Sequence, residues 1–200
     1  MISFSVPLRG RIIECSKAHF NFKVEEGTLL FAGSRHLTVP FQTCSDLISA
    51  LGSLGFGFMT GCASGVDESF RRALRESKYG KDSLVACAFK ERASKMKGLF
   101  PLYVVPDGLP PKAALAKRTL WMTSRCTMLI LFPSDPIGKG SALAFKSAIM
   151  KSIPVFVVSK TRPADSDIYG IYPSSLFGIV EGYWCIPPVY QNTGLCYEAV

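Results

Sequence analysis

Two short apolar runs each break at a glycine-bearing loop that leads into an amphipathic segment. The first, Leu29 to Ala32, ends in Gly33-Ser34-Arg35; the second, Phe56 to Met59, ends in Thr60-Gly61-Cys62-Ala63-Ser64-Gly65-Val66-Asp67. A buried strand that opens through a glycine turn into a helix aims unpaired backbone N–H groups and the positive end of a helix dipole at one spot, which suits a phosphate or another anion. A third glycine loop, Gly138-Lys139-Gly140-Ser141, follows a further apolar run. Three strand ends of this kind predict a single ligand-binding edge on a parallel sheet.

The rest of the chain keeps the same rhythm. Behind Pro40, the residues Cys44, Leu47, Ile48 and Leu51 recur at helical spacing and mark one buried face. Val66, Phe70, Ala73 and Leu74 mark the inner face of a second helix, from which Arg71, Arg72 and Arg75 are expected to project elsewhere. Strands are predicted at Leu84 to Phe89, Leu102 to Val105, Met128 to Phe132 and Pro154 to Val158. Helices are predicted from Ala113 to Arg125 and over a segment with Ala142, Phe145, Ala148 and Ile149 inward, while Lys90 to Gly98 reads as a short helix or mobile loop. Strands separated by helices imply an α/β fold with a mostly parallel sheet and helices on both faces.

At 200 residues and 48% hydrophobic content the chain fits one domain, residues 1–200, with a core over about 29–160. Residues 1–28 read as an N-terminal strand or hairpin around Arg11-Ile12-Ile13 and His19 to Val24, and residues 161–200 as an extra edge strand or flap. No apolar run approaches the roughly 20 residues needed to cross a bilayer. The first ten residues lack an apolar stretch after a basic start, so a soluble, cytoplasmic protein without a secretory signal is expected.

Seven scattered cysteines without a Cys-x-x-Cys pair argue against a disulfide framework and a zinc knuckle, and Cys62, Cys87 and Cys126 read as reduced, buried small residues. His19 and His36 are too few to supply a histidine-based metal site or a hydrolytic triad with ease. The net charge of +8 favours an anionic partner. Its clusters, Arg71, Arg72, Arg75, Lys78 and Lys81, then Lys90, Arg92, Lys95 and Lys97, read first as solvated faces.

Arg118 is the most informative single position. It shares a helical stripe with Ala114, Leu115 and Met122, so its guanidinium starts on the apolar side and must find a partner. Two readings stand side by side: it snorkels outward or pairs with a core carboxylate, or it grips a phosphate with two prongs. Gly33, Ser34 and Arg35 offer N–H donors, a hydroxyl and a cation. Ser64, between Gly61 and Gly65, reads as a helix cap, and Asp67 as a capping residue first and a ribose contact second. Gly138, Gly140 and Ser141 repeat the composition of the first loop, with Lys139 as an anion contact.

The order Gly-Ser-Arg, Thr-Gly-Cys-Ala-Ser-Gly-Val-Asp, an arginine-bearing helix, an apolar strand and a Gly-x-Gly-Ser helix start resembles the Smf/DprA and LOG superfamily of Rossmann-like proteins from about Leu29 to Val158. Gly61 to Asp67 is similar to the Ser-Gly-x-Ala-x-Gly-Ile-Asp segment of DNA-processing A proteins, with Ser64 in place of the usual basic residue. Pro106 to Pro111 followed by Lys117-Arg118 is similar to that family's proline-rich approach to its arginine helix. The nucleotide-cleaving branch carries Pro-Gly-Gly-x-Gly-Thr-x-x-Glu after the arginine helix. Here Arg118, Met122, Ile130 and Pro133 keep the spacing, but the loop from Pro133 to Ala144 is longer and Ala144 stands where the glutamate would be.

The resemblance implies a single Rossmann-like three-layer domain that binds a nucleotide or nucleotide-derived phosphate ligand at the strand ends, as a sensor in one version of that role. A single-stranded DNA-binding module using Phe89, Tyr103 and Trp121 as stacking rings is the alternative. Cleavage of nucleoside monophosphates ranks last, since only Asp67, Glu68 or Asp135 is left to replace the glutamate. No metal, no catalytic residue and no membrane partner is expected, and a homodimer is compatible with the resemblance.

Overall fold

In the computed structural model, residues 27–96 and 98–188 are described in full, and of the first 26 only the backbone of three short strands is. Those strands, β1 (Phe4–Pro7), β2 (Ile12–Glu14) and β3 (Phe20–Lys23), form a small sheet of their own in the order β1-β3-β2. The main fold begins at β4 (Thr28–Gly33) and alternates with helices: α1 (Phe41–Ser53), β5 (Gly57–Gly61), α2 (Val66–Glu76), β6 (Leu84–Cys87), the single turn α3 (Lys90–Ala93) and β7 (Phe100–Tyr103). It continues through α4 (Pro111–Thr123), β8 (Met128–Phe132), α5 (Lys139–Met150) and β9 (Val155–Val157). The tail returns as a hairpin, β10 (Gly170–Leu176) and β11 (Val180–Ile186), whose second strand joins β9 antiparallel.

The sheet order is β10-β11-β9-β8-β4-β5-β6-β7, and every pair from β9 to β7 is parallel. The chain builds outward from β4 to β7, then crosses back to place β8 on the other side of β4. A reversal of this kind leaves a crevice beyond the carboxyl ends of the two central strands, because the loops after them leave in opposite directions.

Strand alternation builds the two faces. Leu29 and Phe31 of β4 point into one buried cluster with Cys44, Leu47, Ile48 and Leu51 of α1 and Phe70 and Leu74 of α2, and Phe31 stacks on Phe70 with ring centroids 3.8 Å apart. Leu30 and Ala32 point into the other, with Met122 of α4 and Ala144, Ala148 and Ile149 of α5. In β8, Met128, Ile130 and Phe132 take the first face and Leu129 and Leu131 the second. α1 packs on α2 and α4 on α5, giving three layers. In α5 the inward face includes Ser141, Ala144 and Ser147, whereas Ala142 and Phe145 are only half-buried, a rotation from the predicted stripe that follows the small residues against the sheet. Among the described residues no helix is long and apolar enough to cross a membrane.

β7 is the outer strand at one edge. Phe100 and Val104 turn their N–H groups inward to the carbonyls of Ser83 and Cys87, so alternation turns positions 101 and 103 outward. Pro101 has no N–H, which leaves Tyr103 as the one outward backbone donor of this strand.

Cys44, Cys126 and Cys185 are buried, and burial pushes each thiol up to about 12. A group raised on folding contributes stability that is intact below its unfolded value, about 9 for a thiol, and lost as pH rises through the folded one. We therefore expect the urea midpoint of the wild type to fall between pH 9 and 12 more steeply than that of Cys126→Ser, in which one of these thiols is gone.

Candidate functional site

At the crevice between β4 and β8 lies a cavity of about 450 Å³. The loop after β4 supplies Gly33, Ser34, Arg35 and His36, and the loop after β8 with the start of α5 supplies Ser134, Gly138, Lys139, Gly140 and Ser141. α4 lays Lys112, Leu115, Ala116, Arg118, Thr119 and Met122 along a third side, and Ala32, Leu143 and Ala144 complete the apolar lining. No side chain caps α5, so its first N–H groups lack a side-chain acceptor where Gly138 to Ser141 line the cavity. Ser34 is buried and its Oγ accepts the N–H of His36 at 3.2 Å, which fixes the turn after β4.

The second glycine turn is placed differently. Of its residues Ala63 and Asp67 reach the cavity wall, while Gly61, Ser64 and Gly65 do not line it. Part of the reason is that several of its donors are engaged within the fold. The Val66 N–H donates to the Ser34 carbonyl at 3.1 Å, and Ser64 Oγ donates to the Arg35 carbonyl at 3.3 Å. The N-cap of α2 is Gly65, at φ 69°, a left-handed backbone that favours glycine, and a side chain there would run into the backbone of Ser34 and Arg35. Ser64 is therefore a brace under the first turn and not the helix cap expected from the sequence.

Asp67 corrects a second expectation. It makes no capping bond; its Oδ2 accepts the Ala63 N–H at 3.1 Å and Nη1 of Arg118 at 3.4 Å, with both side chains almost wholly buried. Of the sequence readings of Arg118, pairing with a core carboxylate is present in the structure. Nη1 also reaches Cys62 Sγ at 3.5 Å, and Nε is buried with no partner. Burial pushes the Asp67 carboxyl above its ordinary value, and Arg118, then the Ala63 N–H and Arg71, oppose that rise.

Arg71 is the third correction. Its position was read as projecting outward, yet it is buried, and its Nη1 donates to the Gly61 carbonyl at 2.6 Å. Burial lowers its guanidinium below the ordinary range, with Asp67 the main influence the other way. Gly61 has to lack a side chain, because a Cβ there would strike Asp67 and lie 2.7 Å from Arg118 Nη1.

Sequence reasoning left Lys112, Ala116 and Thr119 out of the site. Their signal was present in the spacing of 112, 115–116, 119 and 122, which puts them on one helical stripe with Met122. Ala144, at the position where the resemblance calls for a glutamate, is buried in the cavity wall. Glu68 and Asp135 are exposed and line no part of it, so Asp67 is the one carboxylate of the described lining.

Solved structures with this fold were found, although no family model and no curated protein matches the sequence. The chain is similar to DNA processing protein A of Helicobacter pylori, a structure addressing that protein's single-stranded DNA binding mode, at 19% identity and a TM-score of 0.52 over 70% of this chain and 68% of that one. It is also similar to DNA processing protein A of Streptococcus pneumoniae, at 16% identity and a TM-score of 0.53 over 68% of this chain and 51% of that one. A structural-genomics target, TM1055, aligns at 17% identity and a TM-score of 0.49 over 68% and 75% of the two chains. The chain has the Rossmann-type fold of the DNA processing A proteins. The alignment spans about half of the pneumococcal chain.

Removing one member of a buried ion pair leaves the other charge unpaired and costs about 3–5 kcal/mol. Arg118→Met is expected to lose stability in that range, and the double variant Asp67→Asn/Arg118→Met less than the sum of the two single changes. Urea unfolding of the four proteins gives the coupling directly.

Proposed function

We propose that this protein binds a nucleotide or a nucleotide-derived phosphate compound in the cavity between β4 and β8. The observation that carries the reading is the pairing of an uncapped helix start with an apolar wall in one crevice. Gly138 to Ser141 offer backbone donors, and Lys139, Arg35 and Lys112 add positive charge around them. Leu115, Ala116, Met122 and Leu143 offer a surface on which a base or another flat ring can lie. At about 450 Å³ the cavity falls within the roughly 300–1,000 Å³ of small-molecule sites.

Arg118 serves this site as a support. Its engaged Nη1 holds Asp67 and so fixes the start of α2, which in turn props the Ser34-Arg35 turn. Binding without cleavage is the simpler chemistry here, since the lining's carboxylate is tied to Arg118 and Ala63.

The reading is tested by thermal denaturation with nucleoside monophosphates, triphosphates, dinucleotides, cyclic nucleotides and inorganic phosphate. A ligand at 100 times its dissociation constant adds about 2.7 kcal/mol of stability, which for a chain of 200 residues corresponds to a rise in Tm of roughly 5–10 °C. Lys139→Ala is expected to weaken that ligand about tenfold, the loss of one charge-assisted contact. Silence from every phosphate compound overturns the reading.

A second reading rests on three rings that carry cations: Arg92 over Phe89 at 5.1 Å, Lys90 over Tyr103 at 5.4 Å and Arg125 over Trp121 at 4.2 Å. Rings flanked by positive charge suit stacked bases and a phosphate backbone. Titration with a labelled single-stranded oligonucleotide at rising salt separates the two: this reading requires binding that falls steeply with salt.

A further inference from the structure

Behind the cavity, one buried group remains unused by any of this. The β5 and β6 register pairs Met59 with Leu84, Thr60 with Val85 and Gly61 with Ala86, and one step further along the same offset stand Cys62 and Cys87. Adjacent strands lie about 4.8 Å apart, inside the roughly 4.4–6.8 Å between Cα atoms that a disulfide spans. Both thiols are free and buried in one cluster.

Cys62 Sγ is ringed by donors from three elements. The Ala88 N–H, just past β6, reaches it at 3.4 Å, Arg118 Nη1 of α4 at 3.5 Å and Arg92 Nη1 of α3 at 3.9 Å, while Arg92 Nη1 also donates to the Cys62 carbonyl at 3.1 Å. α2 adds Arg71 and Asp67 nearby. The buried charges do not balance without it. Arg71 and Arg118 bring two positive groups and Asp67 one negative, so a second anion completes the cluster.

We propose that Cys62 is a thiolate and that Cys62 and Cys87 are a dithiol modification site, oxidised by a peroxide to a cross-strand disulfide. The Cys62 sulfur attacks one peroxide oxygen; the S–O bond forms, the O–O bond breaks, and the departing hydroxide takes a proton from solvent to become water. The Cys87 sulfur then attacks Cys62 Sγ. The S–S bond forms, the S–O bond breaks, and the leaving hydroxide departs as water with the proton of Cys87. Two sulfurs are oxidised, one peroxide is reduced to two waters, and no reactant beyond that solvent proton is needed.

The electrostatics order the steps. The neighbouring Cys87 thiol is the largest influence drawing Cys62 down, and with Arg118 and the Ala88 N–H it outweighs burial and holds Cys62 below the ordinary thiol range. Cys87 is held above the ordinary thiol range by its closeness to Cys62, by burial and by the charge on Cys62, and its Sγ donates to the Val85 carbonyl at 3.6 Å. Oxidation of Cys62 removes that charge, leaving Arg71 and Arg118 to favour ionisation of Cys87 when it must attack.

The experiment uses the full-length wild type. Stepwise hydrogen peroxide, capping of residual thiols with N-ethylmaleimide under denaturing conditions and peptide mass mapping are expected to show a Cys62–Cys87 cross-link. In Cys87→Ser the reaction should stop at a sulfenic acid on Cys62, captured by dimedone. Without oxidant, folded wild type should react with iodoacetamide at pH 6 at least about tenfold faster at Cys62 than at Cys44, as a thiolate does. A wild-type map with no Cys62–Cys87 link, or one in which Cys62 bonds to a different cysteine, overturns the proposal whether or not the variant folds. The test needs no nucleotide, so its failure and that of the binding reading are separate.

Discussion

The contact between Asp67 and Arg118 joins parts of the fold that the sheet keeps apart. Asp67 belongs to α2 on one face and Arg118 to α4 on the other, and their side chains meet over the end of β5, where Gly61 has no Cβ to block them. A charge so nearly removed from water is stable only with partners. Asp67 has the Ala63 N–H and Arg118, and Arg71 is held close by its bond to the Gly61 carbonyl. The same few atoms fix the start of α2 and lock the two helical layers at the edge where the cavity opens.

That arrangement decides which loops are left to meet a ligand. The turn after β5 uses its donors on Asp67 and on the carbonyls of Ser34 and Arg35, and so becomes the foundation of the turn after β4. The start of α5, which no side chain caps, keeps its donors for the cavity. Three loops of similar composition thus divide into one that supports and two that face the crevice.

The architecture was readable because its causes are local. The apolar stripes of α1 and α2 and the apolar runs of β4 and β8 mark residues for burial, and all of them are buried. The strand order is not contained in the spacing, and it emerges only in the sheet itself. Around the cavity, reading by residue type went less far. Arg118 was marked by its apolar stripe but its partner Asp67, 51 positions away, was not, and Arg71 looks in sequence like any surface arginine until its guanidinium is seen to donate to the Gly61 carbonyl. Ser64 precedes a helix and has the right chemistry to cap it, but a backbone turn from β4 competes for its hydroxyl and wins. Cys62 and Cys87 become neighbours only through the β5 and β6 register, a relation between residues 25 positions apart.

The proline in β7 has a bearing beyond the strand itself. A parallel sheet that ends in an open strand offers its unpaired amides to any extended chain, and exposed Phe100 and Leu102 would make that edge more attractive still. With position 101 unable to donate, a stranger pairing along β7 finds one amide where a continuous ladder needs two. The sheet is thereby discouraged from growing between molecules at its apolar margin, which protects a basic, aromatic-rich chain from edge-to-edge aggregation.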